Sequence, residues 1–351
     1  MHARNELAIR RCGVFPILAL GLCVVGCGGD STGPTDPTSS HSVPCLSASS
    51  ACGEQVLLGT GHRLPVFRTH PIQDGDSTVV RAVIVVHGAD RNPDAYFERM
   101  VEAVRLSGLT PNTLVIAPRF QTEDDNPGAN EPTWTESGWK KGHKSISAVG
   151  GGERISSYET VDDVLGFLGN RSLFPKLEKV VVTGHSAGGQ YAHRFAATSP
   201  AAEELPHLRF RYVVINPSTY LYLGPERAVA GGGFEIPNWE LCTDYNAWHY
   251  GFEDRNSYAL RLTEAETRSR LIGRDLVYMV GSADTGEASL DMSCGAMLQG
   301  MHRYARGLTL FNYMESHYPE ANQQLLIVEG VGHSSTLMFQ SILGRQALFE
   351  W

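Results

Sequence analysis

Six short apolar runs, rich in β-branched residues and each stopped by Gly, His or Pro, constrain this 351-residue chain more than any other feature. They are 79–86 (VVRAVIVV), 113–117 (TLVIA), 179–183 (KVVVT), 211–216 (RYVVIN), 275–280 (DLVYMV) and 324–329 (QLLIVE). A continuous apolar run exposes hydrophobic side chains on both faces, so both must be covered, as in a parallel sheet. The segments between them carry helical signals. Pro93 opens one helix, apolar residues follow at Tyr96, Phe97, Met100, Val101 and Val104, and Gly108 closes it. Ser156 with Glu159 makes a capping box for a helix through Val161, Val164, Leu165 and Leu168. No internal repeat is visible. Strands alternating with helices predict an α/β fold: a mostly parallel sheet covered by helices on both faces, with one or two further strands before Val79.

The run 179–183 breaks into Gly184-His185-Ser186-Ala187-Gly188, and a helix begins near Gly189. The pattern G-x-S-x-G is weak by itself and gains meaning between a strand and a helix. A serine on so sharp a turn is lifted clear of the strand's carboxyl edge. Serine is a poor nucleophile at neutral pH and needs a base that is itself oriented by a carboxylate. Asp284 follows one strand, in LVYMVGSAD, and His333 follows another, in LLIVEGVGH. Parallel strands end on one side, so these loops open beside Ser186. Each residue has a plainer reading: Ser186 as a turn serine, Asp284 as a turn or N-cap residue, His333 as a helix-entry histidine. Asp291 and Glu329 are weaker substitutes for Asp284, and Asn216-Pro217, at the preceding strand end, cannot ionise.

With GHSAG at Ser186, GSAD at Asp284 and GVGH at His333, the chain from Val79 onward resembles the α/β-hydrolase superfamily, in particular its serine esterases and lipases. The resemblance implies Ser186 as nucleophile, His333 as general base and then acid, and Asp284 as the acid that orients it. It implies an oxyanion hole from the backbone N–H groups of Ala89 and Ala187, although Gly88-Ala89-Asp90 departs from the family's HGGG pattern. The expected reaction is hydrolysis of carboxylic esters through an acyl-enzyme. A peptidase or amidase with the same triad, and a catalytically silent binding lipoprotein on the same scaffold, are the alternatives. A histidine base predicts activity falling away below about pH 6, because a free imidazole takes up its proton near 6.5.

Two insertions are expected to shape the substrate site. Residues 121–154 form a polar insert holding Trp134 and Trp139, and the 217–274 excursion carries Trp239, Tyr245, Trp248, Tyr250 and Phe252. Trp134, Trp139, Trp239 and Trp248 are candidate pocket walls, with an aromatic minicore as the plainer reading of the excursion. His87 is a candidate supporting residue. His185, His193, His249, His302 and His317 have no metal-ligand spacing, and no dinucleotide or phosphate loop appears, so no metal or cofactor is expected.

The N-terminus reads as an address. Arg4, Arg10 and Arg11 precede an apolar run from Cys12 to Val25, as in a secretory signal peptide. Val24-Val25-Gly26-Cys27 resembles the lipobox of bacterial lipoproteins, in which the cysteine is lipidated. Of the 17 residues from Gly28 to Pro44, 13 are Gly, Ser, Thr or Pro, the composition of a flexible tether. The expected organisation is a signal peptide over 1–26, a lipidated Cys27 with its tether over 27–53, and a catalytic domain over 54–351. The protein is thus expected to be exported to the bacterial cell envelope and membrane-anchored at Cys27, with secretion as the alternative. Four further cysteines allow three pairings. Proximity favours Cys45–Cys52, leaving Cys242–Cys294 to tie the excursion down as a fixed cap. A net charge of −9 without a basic tract argues against a nucleic-acid partner.

Overall fold

The computed structural model describes residues 43–146 and 153–351. The expected signal peptide, Cys27 and most of the tether lie outside the described residues. Ten strands are described: β1 (Gly53–Leu57), β2 (Arg63–Arg68), β3 (Arg81–Val86), β4 (Thr113–Pro118), β5 (Lys179–His185), β6 (Arg209–Ile215), β7 (Arg227–Ala228), β8 (Phe234–Glu235), β9 (Leu276–Gly281) and β10 (Gln323–Val328). Eight of them form one sheet in the order β1-β2-β4-β3-β5-β6-β9-β10. β2 runs antiparallel to both β1 and β4, and every other pairing within this sheet is parallel. The two strands before Val79 are therefore the antiparallel edge of an otherwise parallel sheet.

The helices are α1 (Pro93–Leu106), α2 (Ser157–Leu168), α3 (Ala187–Thr198), α4 (Ala201–Glu204), α5 (Glu264–Ile272), α6 (Cys294–Met297), α7 (Arg303–His317), α8 (Ser335–Gln340) and α9 (Ile342–Phe349). Side chains alternate across each strand and so divide the core in two. Ala82, Ile84 and Val86 of β3 pack with Tyr158 and Val161 of α2 and with Tyr191 and Phe195 of α3. Val83 and Val85 join Phe97 and Met100 of α1, Phe339 of α8 and Leu348 of α9 on the opposite face. Helices thus cover both faces, as the apolar runs require.

The strand order positions the site. β3 lies between β4 and β5, so the chain leaves β3 in one direction and leaves β5 in the other. α1 and α3, which follow these strands, lie on opposite faces. A crevice opens between two such diverging connections, at the carboxyl ends of the strands.

Both disulfides, Cys45–Cys52 and Cys242–Cys294, are formed. The second ties the excursion to α6. Tyr245, Trp248, Tyr250 and Phe252 are buried there as a minicore, whereas Trp239 is 63% exposed. Trp248 Nε1 donates to the Lys141 carbonyl, and the buried Arg194 of α3 donates to the carbonyls of His249 and Thr219. These bonds hold the excursion against the body.

Trp134 and Trp139 are not pocket walls. Both are fully buried: Trp139 stacks on Phe120 at 5.5 Å and lies 4.6 Å from the His87 ring, while Trp134 meets Phe120 edge-on. Indoles satisfy a core as readily as a pocket, and here the polar insert uses them to anchor itself over α3. If so, Trp139→Ala lowers unfolding free energy by about 3–5 kcal/mol in urea titrations. A loss below about 1 kcal/mol would deny Trp139 a core role.

Candidate active site

Ser186 lies between β5 and α3 with φ +60° and ψ −119°, a strained conformation for a residue with a Cβ. Its N–H donates to the Ile215 carbonyl of β6 at 3.0 Å. The turn is tight because Gly188 passes against β3: a Cβ on Gly188 would sit 2.1 Å from the Val86 carbonyl oxygen. No side chain fits there.

Asp284 follows β9 and His333 follows β10. These loops meet because Gly281 is bare, since a Cβ there would lie 2.1 Å from the Val331 carbonyl oxygen. The Ala283 N–H donates to that same carbonyl, and the Gly281 N–H donates to Asn216 Oδ1 at 2.9 Å. Asn216, which cannot ionise, thus braces the loop that carries Asp284. His333 Nδ1 donates to Asp284 Oδ2 at 2.7 Å, the shortness typical of a charge-assisted bond. Asp284 is 1% exposed, with Arg303 Nη1 at 3.7 Å from its other oxygen. Arg303 escaped the sequence reading because nothing in a helix-opening arginine marks a distant carboxylate as its partner.

Ser186 and His333 line one cleft of about 310 Å³, with Gly88 and Ala89 after β3 on its other side. Ala89 N–H has no hydrogen-bond partner among the described residues. Ala187 opens α3, so its N–H has no acceptor within the helix. The expected serine, histidine, acid and N–H groups therefore converge. Trp134, Trp139, Trp239 and Trp248 do not line this cleft. A surface groove of about 440 Å³ along β1 and β2 holds none of the converging groups. No three His, Cys, Asp or Glu side chains among the described residues are grouped to hold a metal ion.

The sequence model of the alpha/beta hydrolase family matches residues 83–348. This chain belongs to the alpha/beta hydrolase family. Two similar solved structures are the LpqC poly(3-hydroxybutyrate) depolymerase from Bordetella parapertussis and poly(aspartic acid) hydrolase-1 from Sphingomonas sp. KT-1. The first is 22% identical with TM-score 0.60, covering 85% of this chain and 89% of its own. The second is 22% identical with TM-score 0.58, covering 84% and 98%. A search of curated protein sequences returned no match.

Two histidines support the cleft of this alpha/beta hydrolase from inside. His87 Nδ1 donates to the Gly88 carbonyl and Nε2 accepts from Phe120 N–H, so the neutral ring is satisfied at both nitrogens. Burial pushes its pKa down to about 4. His185 lies 4.4 Å from the His333 ring, ring to ring, and burial, then the neighbouring His333, holds its pKa well below the ordinary value. Burial also lowers His193, to about 3, and His249.

A histidine that folds neutral gives stability above its unfolded pKa, near 6.5, and that stability is lost as pH falls below it, because only the unfolded chain takes up the proton. Asp162 acts oppositely: burial raises it from 3.8 to about 6, so the folded chain gains a proton first. The buried histidines outnumber the aspartates that burial raises, so unfolding free energy is expected to fall as pH drops from 7 to 5. A flat urea-midpoint profile from pH 7 to 5 would show that these rings titrate in the folded state.

Proposed function

We propose that the protein is a serine hydrolase that cleaves carboxylic esters, with Ser186 as nucleophile, His333 as base and Asp284 as orienting acid. The observation that carries this reading is the 2.7 Å His333–Asp284 bond at the mouth of the cleft shared with Ser186. Ser186 Oγ attacks the ester carbonyl carbon while its proton passes to His333 Nε2. Asp284 keeps Nδ1 protonated and partners the positive ring. The tetrahedral oxyanion accepts hydrogen bonds from the Ala89 and Ala187 N–H groups; one such donor is typically worth about 100- to 1000-fold in rate. Collapse expels the alcohol, which takes the proton from His333. Water then enters by the same route and frees the acid.

The two similar structures are named for hydrolysing or depolymerising polymers, and at 22% identity they support the architecture and leave the substrate to this chain's own cleft. The protein is further proposed to be exported and anchored through Cys27, which the lipobox-like sequence and two disulfides support.

The test uses a fluorophosphonate probe with p-nitrophenyl esters and an anilide. Wild type is expected to be labelled and to turn over esters, and Ser186→Ala to lose labelling and at least about 10⁴-fold in kcat. Asp284→Asn is expected to lose about 10³- to 10⁴-fold, chiefly in kcat. Labelling with anilide turnover alone would replace the esterase with an amidase. A folded wild type that neither labels nor turns over would leave a binding protein.

A further inference from the structure

The cleft around Ser186 is polar on nearly every side. Hydroxyls come from Ser289, Ser334, Ser335 and Thr336, and no Leu, Ile, Val, Met, Phe or Trp side chain among the described residues lines it. A long aliphatic acyl chain would gain little burial there. Among the described residues, one arginine or lysine faces this space. Arg99 of α1 is half-buried and lines the same cleft. Its Nη1 donates to Ser335 Oγ at 2.9 Å, and its guanidinium carbon lies 5.4 Å from the Tyr96 ring centroid. No acidic side chain among the described residues pairs with it. Asp90 also lines the cleft, is exposed, and forms no ion pair with Arg99. The other arginines buried near the site are engaged: Arg303 faces Asp284, and Arg306 donates to backbone carbonyls.

Accepting the serine-esterase reading of Ser186, we infer that Arg99 is the specificity-determining residue of this cleft and that the substrate is an ester bearing a carboxylate. A guanidinium presents five donors in a planar fork matched to a carboxylate, and Ser335 occupies only one of them. Partial burial removes water that would compete for the pair, so a substrate anion gains more here than at an open surface. The hydroxyls around it suit a polar chain between the carboxylate and the scissile carbonyl.

The experiment compares three p-nitrophenyl esters of equal length: the adipate half-ester, its neutral isostere with an isopropyl group in place of the carboxylate, and its counterpart with a terminal ammonium. Wild type is expected to favour the anionic ester in kcat/KM. Arg99→Met is expected to reduce the anionic-to-neutral ratio about 10- to 100-fold, mainly through KM, as for lost hydrogen bonds to a charged group. Arg99→Lys keeps the charge without the fork and is expected to fall between them. Should Arg99→Met not fold, Arg99→Lys and the wild-type preference still decide. Ser186-dependent turnover with no anionic preference, or a ratio untouched by Arg99→Met, overturns the inference and leaves the esterase intact. Preference for the ammonium ester overturns it in favour of Asp90. Absence of turnover and of probe labelling removes the esterase reading, and this inference with it.

Discussion

How closely the start of α3 approaches the end of β3 governs the rest of the site. The Gly188 Cα passes so near the Val86 carbonyl that no Cβ fits, and Gly184 passes Gly188 with as little room. That contact lets the helix begin immediately after β5 and forces Ser186 into positive φ. Such a conformation costs on the order of 1–3 kcal/mol and persists only where surrounding packing over-determines it. Here all twelve residues of α3 are buried, and Tyr191 joins a cluster with Phe120, Trp139 and Tyr158. Trp134 and Trp139, two of the four tryptophans that sequence alone offered as pocket walls, therefore act one layer further in, holding the helix that follows Ser186.

The Asp284 and His333 loops depend on a second contact of the same kind. Gly281 ends β9 without a side chain, the Val331 carbonyl closes over it, and Asn216 crosses from β6 to the Gly281 N–H. Both halves of the site are thus fixed by backbone at adjacent strand ends. The sheet supplies the alignment, because β5, β6, β9 and β10 are parallel neighbours ending on one edge. Side-chain flexibility has little left to decide.

What the sequence made legible follows from these distances. Apolar runs and strand-end glycines are local signals, so the sheet, its helix layers and the Ser186, Asp284, His333 order could be read directly. β5 runs two residues beyond the expected end at Thr183, because its pairing with β6 continues to His185 and Ile215. The wall assignments failed for Trp134 and Trp139 because an indole in a polar insert gives no sign of which surface it will meet, and both met Phe120. Arg99 was invisible for the opposite reason. It is an ordinary helix arginine, and only the packing of α8 beside α1 brings Ser335 to it and turns both toward the cleft.

The paired imidazoles show how environment divides roles between like groups. His185 and His333 lie ring to ring at 4.4 Å, too close for both to carry charge comfortably. His185 is enclosed, with Tyr96 Oη and Asn216 Nδ2 at 3.4 Å as its polar neighbours and no carboxylate among them. His333 is partly open to solvent and bonded to Asp284. Of the pair, one ring therefore faces a carboxylate and the other does not. Burial keeps His185 neutral, and its ring walls the cleft beside Ser186. Arg99 and Arg303 reinforce this from either side, since both positive charges press His185 toward neutrality while Arg303 also faces the Asp284 carboxylate. The Asp284 contact thus fixes the orientation of one ring of the pair, and burial keeps the other neutral.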